Sequence, residues 1–517
     1  MRIACLQTPA FSLDQAPDAA RHLLGAIGGA LRAVPRPDLL LLPEVAYPSY
    51  YLPGIASAAD LDARLAAMGA PTAAEFACSL SRKAAEGGVY IAAGLALGRP
   101  DGALENAMVL YDREGKLINR VGKQFLWHFD ACWFAPGAPP PITEVDGVPT
   151  GLFICCDARA PEIPRRLALA GAQLMLDSTN WVTSGRDPRN LPNAQPDYMM
   201  RVRALENGIW FAAANKVGRE ADSIVYCGKS CVIGPDGTVQ GMASCDQPET
   251  LIVEIPVSPG GLVGAGRGGL VTRRPGEYRR LGGTPEVPAV EPAPAPYVAV
   301  VQVPDDDARL PALLADLAVH GADLVVLPAG DRPLSDLVAA SRAAPVLLLG
   351  TGREDSRRTA LLLHAGREVG RYDQGHLSDA DRAAGLVQGP AEPPVFATPI
   401  GRIGVMIGED GLVPEVARGL ALAGADLIAW PHRLTEPWME PFVRTRAAEN
   451  RVFVAAAGPA EPGGESLVAD PAGLPLARTF PGVRQAVGAY CITAVARHKG
   501  LVPGTAALTL PRYPELV

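Results

Sequence analysis

The residues with the strongest claim to chemistry lie at positions 151–162, GLFICCDARAPE: an apolar run, two adjacent cysteines, then Asp157, Arg159, Pro161 and Glu162. Residues 151–154 have the composition of a short buried strand. Pro161 followed by Glu162 suits the first turn of a helix, where a missing N–H costs little. That helix is expected to run over residues 161–172. A cysteine at a strand-to-helix turn sits near the positive end of the helix dipole, which favours thiolate over thiol. The thiolate is the nucleophile, so covalent catalysis is one reading. The other is a core position, since cysteine is among the most buried residue types. These twelve residues alone leave both open.

Other reactive side chains follow short predicted strands. Residues 38–42 read as a strand buried on both faces and end in Pro43-Glu44. A glutamate there faces either solvent, as most do, or a site. Residues 106–111 and 116–121 predict a hairpin around the 112–115 turn. Lys123 follows, then the aromatic loop QFLWHFDACWFAPG, which carries Trp127, His128, Phe129, Asp130 and Trp133. A strand over 173–176 leads into Ser178-Thr179-Asn180-Trp181. Helices are expected over 15–32, 73–86 and around RVRALEN at 201–207, with further strands over 2–7, 89–97 and 208–213. Strands alternating with helices and then hairpins predict an α+β layered sandwich rather than a purely parallel sheet.

At 517 residues the chain is too long for one ordinary core. Hydrophobic residues make up 48% and charged residues 20%, as in a globular protein, and the net charge of −8 argues against nucleic acid or an anionic membrane as partner. Nine cysteines with no CxxC pair, and no histidine cluster at metal spacing, predict a reduced cytoplasmic protein with no metal and no organic cofactor. No signal layout opens the chain, and no apolar run approaches the roughly 18 residues of a membrane span.

The chain repeats itself. Residues 284–296, TPEVPAVEPAPAP, read as a linker. On either side, IACLQ at 3–7 is echoed by VAVVQ at 298–302, and LALAGA occurs unchanged at 167–172 and 420–425. RVRALEN at 201–207 matches RTRAAEN at 444–450, and GKSCVIGPDG at 228–237 matches GESLVADPAG at 464–473. The expected organisation is a first domain at 1–283, the linker at 284–296 and a second copy at 297–517.

These landmarks, in this order, resemble the nitrilase, or carbon–nitrogen hydrolase, superfamily. The resemblance covers most of the chain, twice. It implies a four-layer α-β-β-α sandwich and a cysteine hydrolase acting on non-peptide carbon–nitrogen bonds. LLLLPE looks like the family's first signature and places Glu44 as general base. RVGKQFLW looks like its second and places Lys123. CCDARAPE looks like its third and makes Cys155 the nucleophile, with Cys156 where relatives often carry an aromatic residue. Relatives usually have a second glutamate seven residues before the glycine of an F-x-P-G segment; counting back from Gly137 reaches Asp130, one methylene shorter, in that supporting role. The resemblance implies attack by thiolate, an oxyanion held by Lys123 and a backbone N–H, and hydrolysis of a thioester.

In the second copy Ala329 stands where the base should be, Gln374 where the lysine should be, and Gly408 where the nucleophile should be. From Glu44 to Lys123 is 79 residues, but from Ala329 to Gln374 only 45. The copy therefore reads as a pseudo-hydrolase. Family members resemble one another in pairing through a helical face, so the retained helices at 414–424 and 444–450 imply an intramolecular pseudo-dimer, which could form further homo-oligomers. The alternative is a second copy that binds a small ligand.

For the substrate, Cys156-Asp157 in place of the nitrilases' Trp-Glu implies an amide or N-carbamoyl compound, small and linear. Arg159 looks like a residue some carbamoylases use to hold a carboxylate; a structural ion pair is the other reading. Trp127, His128, Phe129, Trp133, Asn180 and Trp181 belong to loops expected at the pocket mouth, and Arg186 and Arg189 could favour an anion. The competing functions are a nitrilase or acyltransferase, and a non-catalytic binding scaffold.

Overall fold

A computed structural model describes residues 1–128, 130–183, 189–265, 273–286, 288–289, 293–435, 437–501, 507 and 516. Two compact units emerge, Met1–Val271 and Thr272–Pro503. The described residues of the expected linker and of the segment before it belong to the second unit. There Arg274 donates to the Gly375 and Gly389 carbonyls, and the Glu286 N–H to Leu422 O. The first unit therefore ends before the 283/284 boundary read from composition.

In chain order the first unit comprises β1 (Arg2–Pro9), α1 (Ala16–Leu31), β2 (Leu39–Leu41), α2 (Ala58–Ala67), α3 (Ala73–Gly87), β3 (Tyr90–Gly98), β4 (Leu104–Tyr111), β5 (Leu117–Gly122), α4 (Asp130–Trp133), β6 (Thr143–Val145), β7 (Val148–Ile154), α5 (Glu162–Leu169), β8 (Leu174–Ser178), α6 (Met200–Asn207), β9 (Trp210–Ala214), β10 (Lys216–Glu220), β11 (Ile224–Cys227), β12 (Cys231–Ile233), β13 (Val239–Met242) and β14 (Glu249–Glu254). One sheet runs β11-β10-β1-β2-β3-β4-β5, with β14 also on β1; the other runs β13-β12-β9-β8-β7-β6. The sheets face each other, α1 and α3 cover the first, and α5 and α6 cover the second. This is the expected four-layer sandwich.

The layers follow from the sequence. Residues 39–42 are leucines with no accessible surface; Leu40 and Leu42 join the core under α1 and α3, and the alternate leucines face the other sheet. Helix α1 contributes Ala19, Leu23 and Ile27 to that core, so truncating Leu23 to Ala costs about 2–5 kcal/mol. Helix α3 starts with a reciprocal cap between Thr72 and Glu75 and ends at Gly88, φ +60°.

The second unit comprises, after the short hairpin strands β15 (Val257–Ser258) and β16 (Gly261–Leu262) of the first, β17 (Tyr297–Gln302), α7 (Leu310–Val319), β18 (Leu324–Val326), α8 (Leu334–Ser341), β19 (Leu347–Glu354), β20 (Arg357–His364), β21 (Arg367–Asp373), α9 (Asp379–Ala383), β22 (Val395–Thr398), β23 (Gly401–Val405), α10 (Pro414–Leu422), β24 (Leu427–Pro431), α11 (Met439–Asn450), β25 (Phe453–Ala457), β26 (Leu467–Ala469), β27 (Pro475–Arg478) and β28 (Gln485–Tyr490). Its sheets run β21-β20-β19-β18-β17-β28 and β22-β23-β24-β25-β26-β27. Those orders repeat β5-β4-β3-β2-β1-β14 and β6-β7-β8-β9-β12-β13 of the first unit strand for strand. The internal repeat is a repeat of both sheets, without counterparts of β10, β11 and α2 among the described residues. Among the described residues, no helix is long and apolar enough to cross a membrane.

Candidate active site

Glu44 enters the site directly from the buried end of β2. Its backbone lies so close to β3 that a Cβ on Gly94 would meet Glu44 Cα at 2.5 Å, so glycine is required there. Lys123 leaves β5, and its N–H donates to Asn106 O on β4. The loop beyond it returns through Gly137, whose N–H donates to Lys123 O and whose Cβ, if present, would meet Gly122 O at 2.2 Å. This close return carries Asp130 to Lys123.

The three side chains form one buried network. Lys123 Nζ donates to Glu44 Oε1 at 2.7 Å and lies 2.6 Å from Asp130 Oδ2. Asn106 Nδ2 also donates to Glu44 Oε1, at 2.6 Å, and the Trp127 N–H donates to Asp130 Oδ2, at 2.7 Å. Asp130 thus holds the lysine in place of the longer glutamate. Burial disfavours the ammonium, but the Asp130 and Glu44 charges outweigh it and hold Lys123 well above the ordinary lysine value. Burial, reinforced by Glu44, raises Asp130. Glu44 Oε2 and Asp130 Oδ1 are buried with no hydrogen-bond partner, so each keeps an acceptor for another molecule.

Cys155 follows β7 and is the first residue of a 3₁₀ turn, Cys155–Arg159, that precedes α5. The expected helix thus begins at Glu162, a turn later than a directly dipole-stabilised cysteine would need. Burial, then the Glu44 charge, pushes the Cys155 thiol well above its usual range against the pull of Lys123. Burial thus outweighs the helix dipole's pull toward thiolate, and the sulfur needs the general base that the resemblance implies. Cys155 has φ +50°, an unusual left-handed conformation for a residue with a Cβ, costing about 1–2 kcal/mol. Side chains hold both polar groups of its backbone: the Cys155 N–H donates to Asp177 Oδ1 at 2.6 Å, and Gln195 Nε2 donates to Cys155 O at 2.9 Å. Asp157 accepts from the Phe125 and Ile154 N–H groups, tying the turn to the lysine loop; burial pushes it up to about 7 despite these donors.

Trp127, Cys155, Cys156, Arg159, Asn180 and Trp181 line one cleft with about 250 Å³ of empty space, bounded also by Asn193 and Gln195. Arg159 stacks 5.3 Å from the Trp127 ring centre and donates through Nε to Gln195 Oε1. Asn180 is 6% exposed and Trp181 1%, yet neither amide atom of Asn180 nor the Trp181 indole N–H has a hydrogen-bond partner. The Cys156 thiol is pushed up to about 12 by burial. Trp133 packs edge-on against Tyr51 and Tyr50, and half-buried His128, φ +42°, is not among the cleft-lining residues. Arg189 is exposed; Phe129 and Arg186 lie outside the described residues.

The equivalent place in the second unit is occupied differently. Gln374, whose N–H donates to Arg358 O as Lys123 N–H does to Asn106 O, turns its own amide to His376 O and accepts from Arg358 Nη1. Gly408 keeps φ +50°, but a Cβ there would meet Gln374 Nε2 at 2.8 Å. Trp430, at the β24 position of Asp177, donates its indole N–H to Gly408 O. Arg433, at the position of Asn180, donates to Ala329 O.

A family model for carbon-nitrogen hydrolases matches residues 2–261 and 337–487. The chain belongs to the carbon–nitrogen hydrolase family. It is a carbon–nitrogen hydrolase with tandem family domains. The hydrolase encoded in the pqqF 5' region of Pseudomonas protegens is 35% identical over 49% of this chain and 81% of its own length. The 2-oxoglutaramate amidase of Bacillus subtilis is 30% identical over 39% of this chain and 72% of its own length. A solved amidase from Nesterenkonia sp. AN1, with acrylamide added at its active-site cysteine, is 28% identical, covers 53% of this chain and 96% of its own, and has a TM-score of 0.43. Sequence reasoning had missed Asn106, Asp177 and Gln195, which hydrogen-bond to Glu44 and to the Cys155 backbone; no motif marks them.

Proposed function

We propose that the first unit hydrolyses a small linear amide or N-carbamoyl compound through a thioester on Cys155. The observation that carries this reading is the buried Glu44–Lys123–Asp130 network beside a neutral thiol at the end of a small cleft. Glu44 takes the thiol proton as sulfur attacks the carbonyl carbon. Lys123 and the Cys156 N–H, which has no helical acceptor at the start of its turn, hold the oxyanion. Glu44 then protonates the departing ammonia or amine and activates the water that cleaves the thioester. Asp130 keeps Lys123 in place throughout.

The Arg159 guanidinium lies on the Trp127 ring and gives its Nε to Gln195, and Asn180 and Trp181 bring polar atoms without hydrogen-bond partners among the described residues to the same cleft. This favours a substrate whose far end is polar or a carboxylate; the relative named 2-oxoglutaramate amidase fits such a class. The second unit, lacking base, lysine and nucleophile, is catalytically silent in this reading.

The test is product release from a panel of neutral amides, carboxylate-ended amides, N-carbamoyl compounds and nitriles, with and without hydroxylamine as acyl acceptor. Ammonia from amides or carbamoyl compounds supports the proposal. Turnover of nitriles alone, or product only with the acceptor, would replace it with a nitrilase or an acyltransferase.

A further inference from the structure

We propose that Asp177 is a positioning residue for the nucleophile: by accepting the Cys155 N–H it fixes the left-handed backbone that aims the thiol at the substrate. The inference rests on Cys155 as nucleophile and adds a residue outside the reacting set.

Strands β7 and β8 are parallel, with Phe153 opposite Asp177 and Ile154 opposite Ser178. Successive side chains on β8 point to opposite faces. Ser178 turns toward the other sheet, where its hydroxyl donates to Leu42 O, so Asp177 turns the other way. Its Oδ1 meets the Cys155 N–H at 2.6 Å, where β7 gives way to the turn. Asp177 has no accessible surface and Oδ2 has no hydrogen-bond partner, so little else in the fold accounts for a carboxyl group here. Burial, with Glu44 and Asp157 nearby, holds the group well above the carboxylate range. A neutral acid can accept this bond through its carbonyl oxygen without setting a second negative charge against the forming thiolate.

Gln195 completes the clamp from the cleft side through Cys155 O, and the same glutamine accepts from Arg159. Nucleophile and proposed substrate-binding arginine therefore share one rigid connection. The second copy gives the contrast. Glycine at 408 adopts φ +50° with no Cβ to strain it, and there the aspartate is replaced by Trp430. The aspartate is absent where the cysteine is absent.

The experiment uses the full chain with iodoacetamide as probe, reading labelling by peptide mass spectrometry at Cys155 and at exposed Cys78 in the same molecule. Asp177→Asn retains a neutral acceptor; Asp177→Leu and the smaller Asp177→Ser remove it at this distance. Melting temperature monitors folding. The expected result is Cys155 labelling within about twofold of wild type in Asp177→Asn and about tenfold slower in the other two, with Cys78 unchanged. Wild-type labelling in a folded Leu or Ser variant overturns the proposal. So does an Asn variant as slow as those two. Full amide turnover by Cys155→Ser overturns the assignment of the nucleophile, and this inference with it. A purely structural role for Asp177 would alter melting and Cys78 exposure without separating Asn from Ser.

Discussion

The two copies share a fold and differ in almost every atom that could react. Each keeps the capping aspartate two residues after the nucleophile position: Asp157 accepts from Ile154 N–H, and Asp410 from Ile407 N–H. Each keeps a buried arginine–glutamate pair, Arg203–Glu206 at 2.6 Å and Arg446–Glu449 at 2.8 Å, on the helix before its fourth central strand. Each keeps the left-handed residue, Cys155 or Gly408. Beyond the loss of strands β10 and β11 and of helix α2, what changes among the described residues lies around the pocket. Asn106 becomes Arg358, which pairs with Asp331 and Asp381, while Asp177 becomes Trp430 and Asn180 becomes Arg433. The lesson is that the sandwich is held by its strands, caps and buried pairs. The catalytic set is an addition that one copy could lose once larger side chains satisfied the exposed polar groups.

The comparison can be broken at several points. The largest effect belongs to the reacting groups: Cys155→Ser or Glu44→Gln lowers kcat by about 10³–10⁴, measured as ammonia release, with melting unchanged for the serine variant. Lys123→Met removes the cation between two buried carboxylates, so it abolishes turnover and destabilises the first unit by about 3–5 kcal/mol in chemical denaturation. Grafting Ala329→Glu, Gln374→Lys and Gly408→Cys into a Cys155→Ser chain restores no ammonia release, because Arg358, Trp430 and Arg433 still fill the second pocket. Measurable turnover would show that the pocket is not closed.

Arg159→Ala sharpens the substrate side. Its kcat/KM falls about 100-fold for carboxylate-ended amides and only a few-fold for neutral ones. Equal losses would return Arg159 to a structural role. The smallest effect is on stability. In the second unit burial drives His432 down to about 3, against 6.5 for an unperturbed imidazole. The unfolded chain binds that proton more readily, so stability is intact above pH 6.5 and declines as pH falls toward 3, by up to about 3 kcal/mol at pH 4. The first unit has Thr179 at that position. His432→Asn should flatten the acid limb of the second unit's melting, read against pH.

Much of this was legible in the sequence. Glu44, Lys123 and Cys155 stood out because each follows an apolar strand in a fixed order, and Asp130 because a glycine-bounded loop could be counted backwards from Gly137. The strand-for-strand repeat was visible in LALAGA and the paired RxRAxEN segments. Asp177 was not visible, since a carboxylate at the end of LMLD is as compatible with a solvent-facing strand end; only its hydrogen bond to Cys155 N–H reveals its place. For Trp133 the sequence offered only an aromatic loop; the fold packs it against Tyr50 and Tyr51. The state of the Cys155 thiol was not legible because dipole arguments see the helix but not the burial that outweighs it.

The central claim is that one copy does the chemistry through Cys155. Its most direct test is rapid quenching of the full chain with a turned-over small amide, followed by peptide mass spectrometry. The account predicts the acyl mass on the peptide containing Cys155, absent in Cys155→Ser, and no acyl adduct on any peptide of the second unit. An acyl adduct elsewhere, or full turnover by Cys155→Ser, would contradict it.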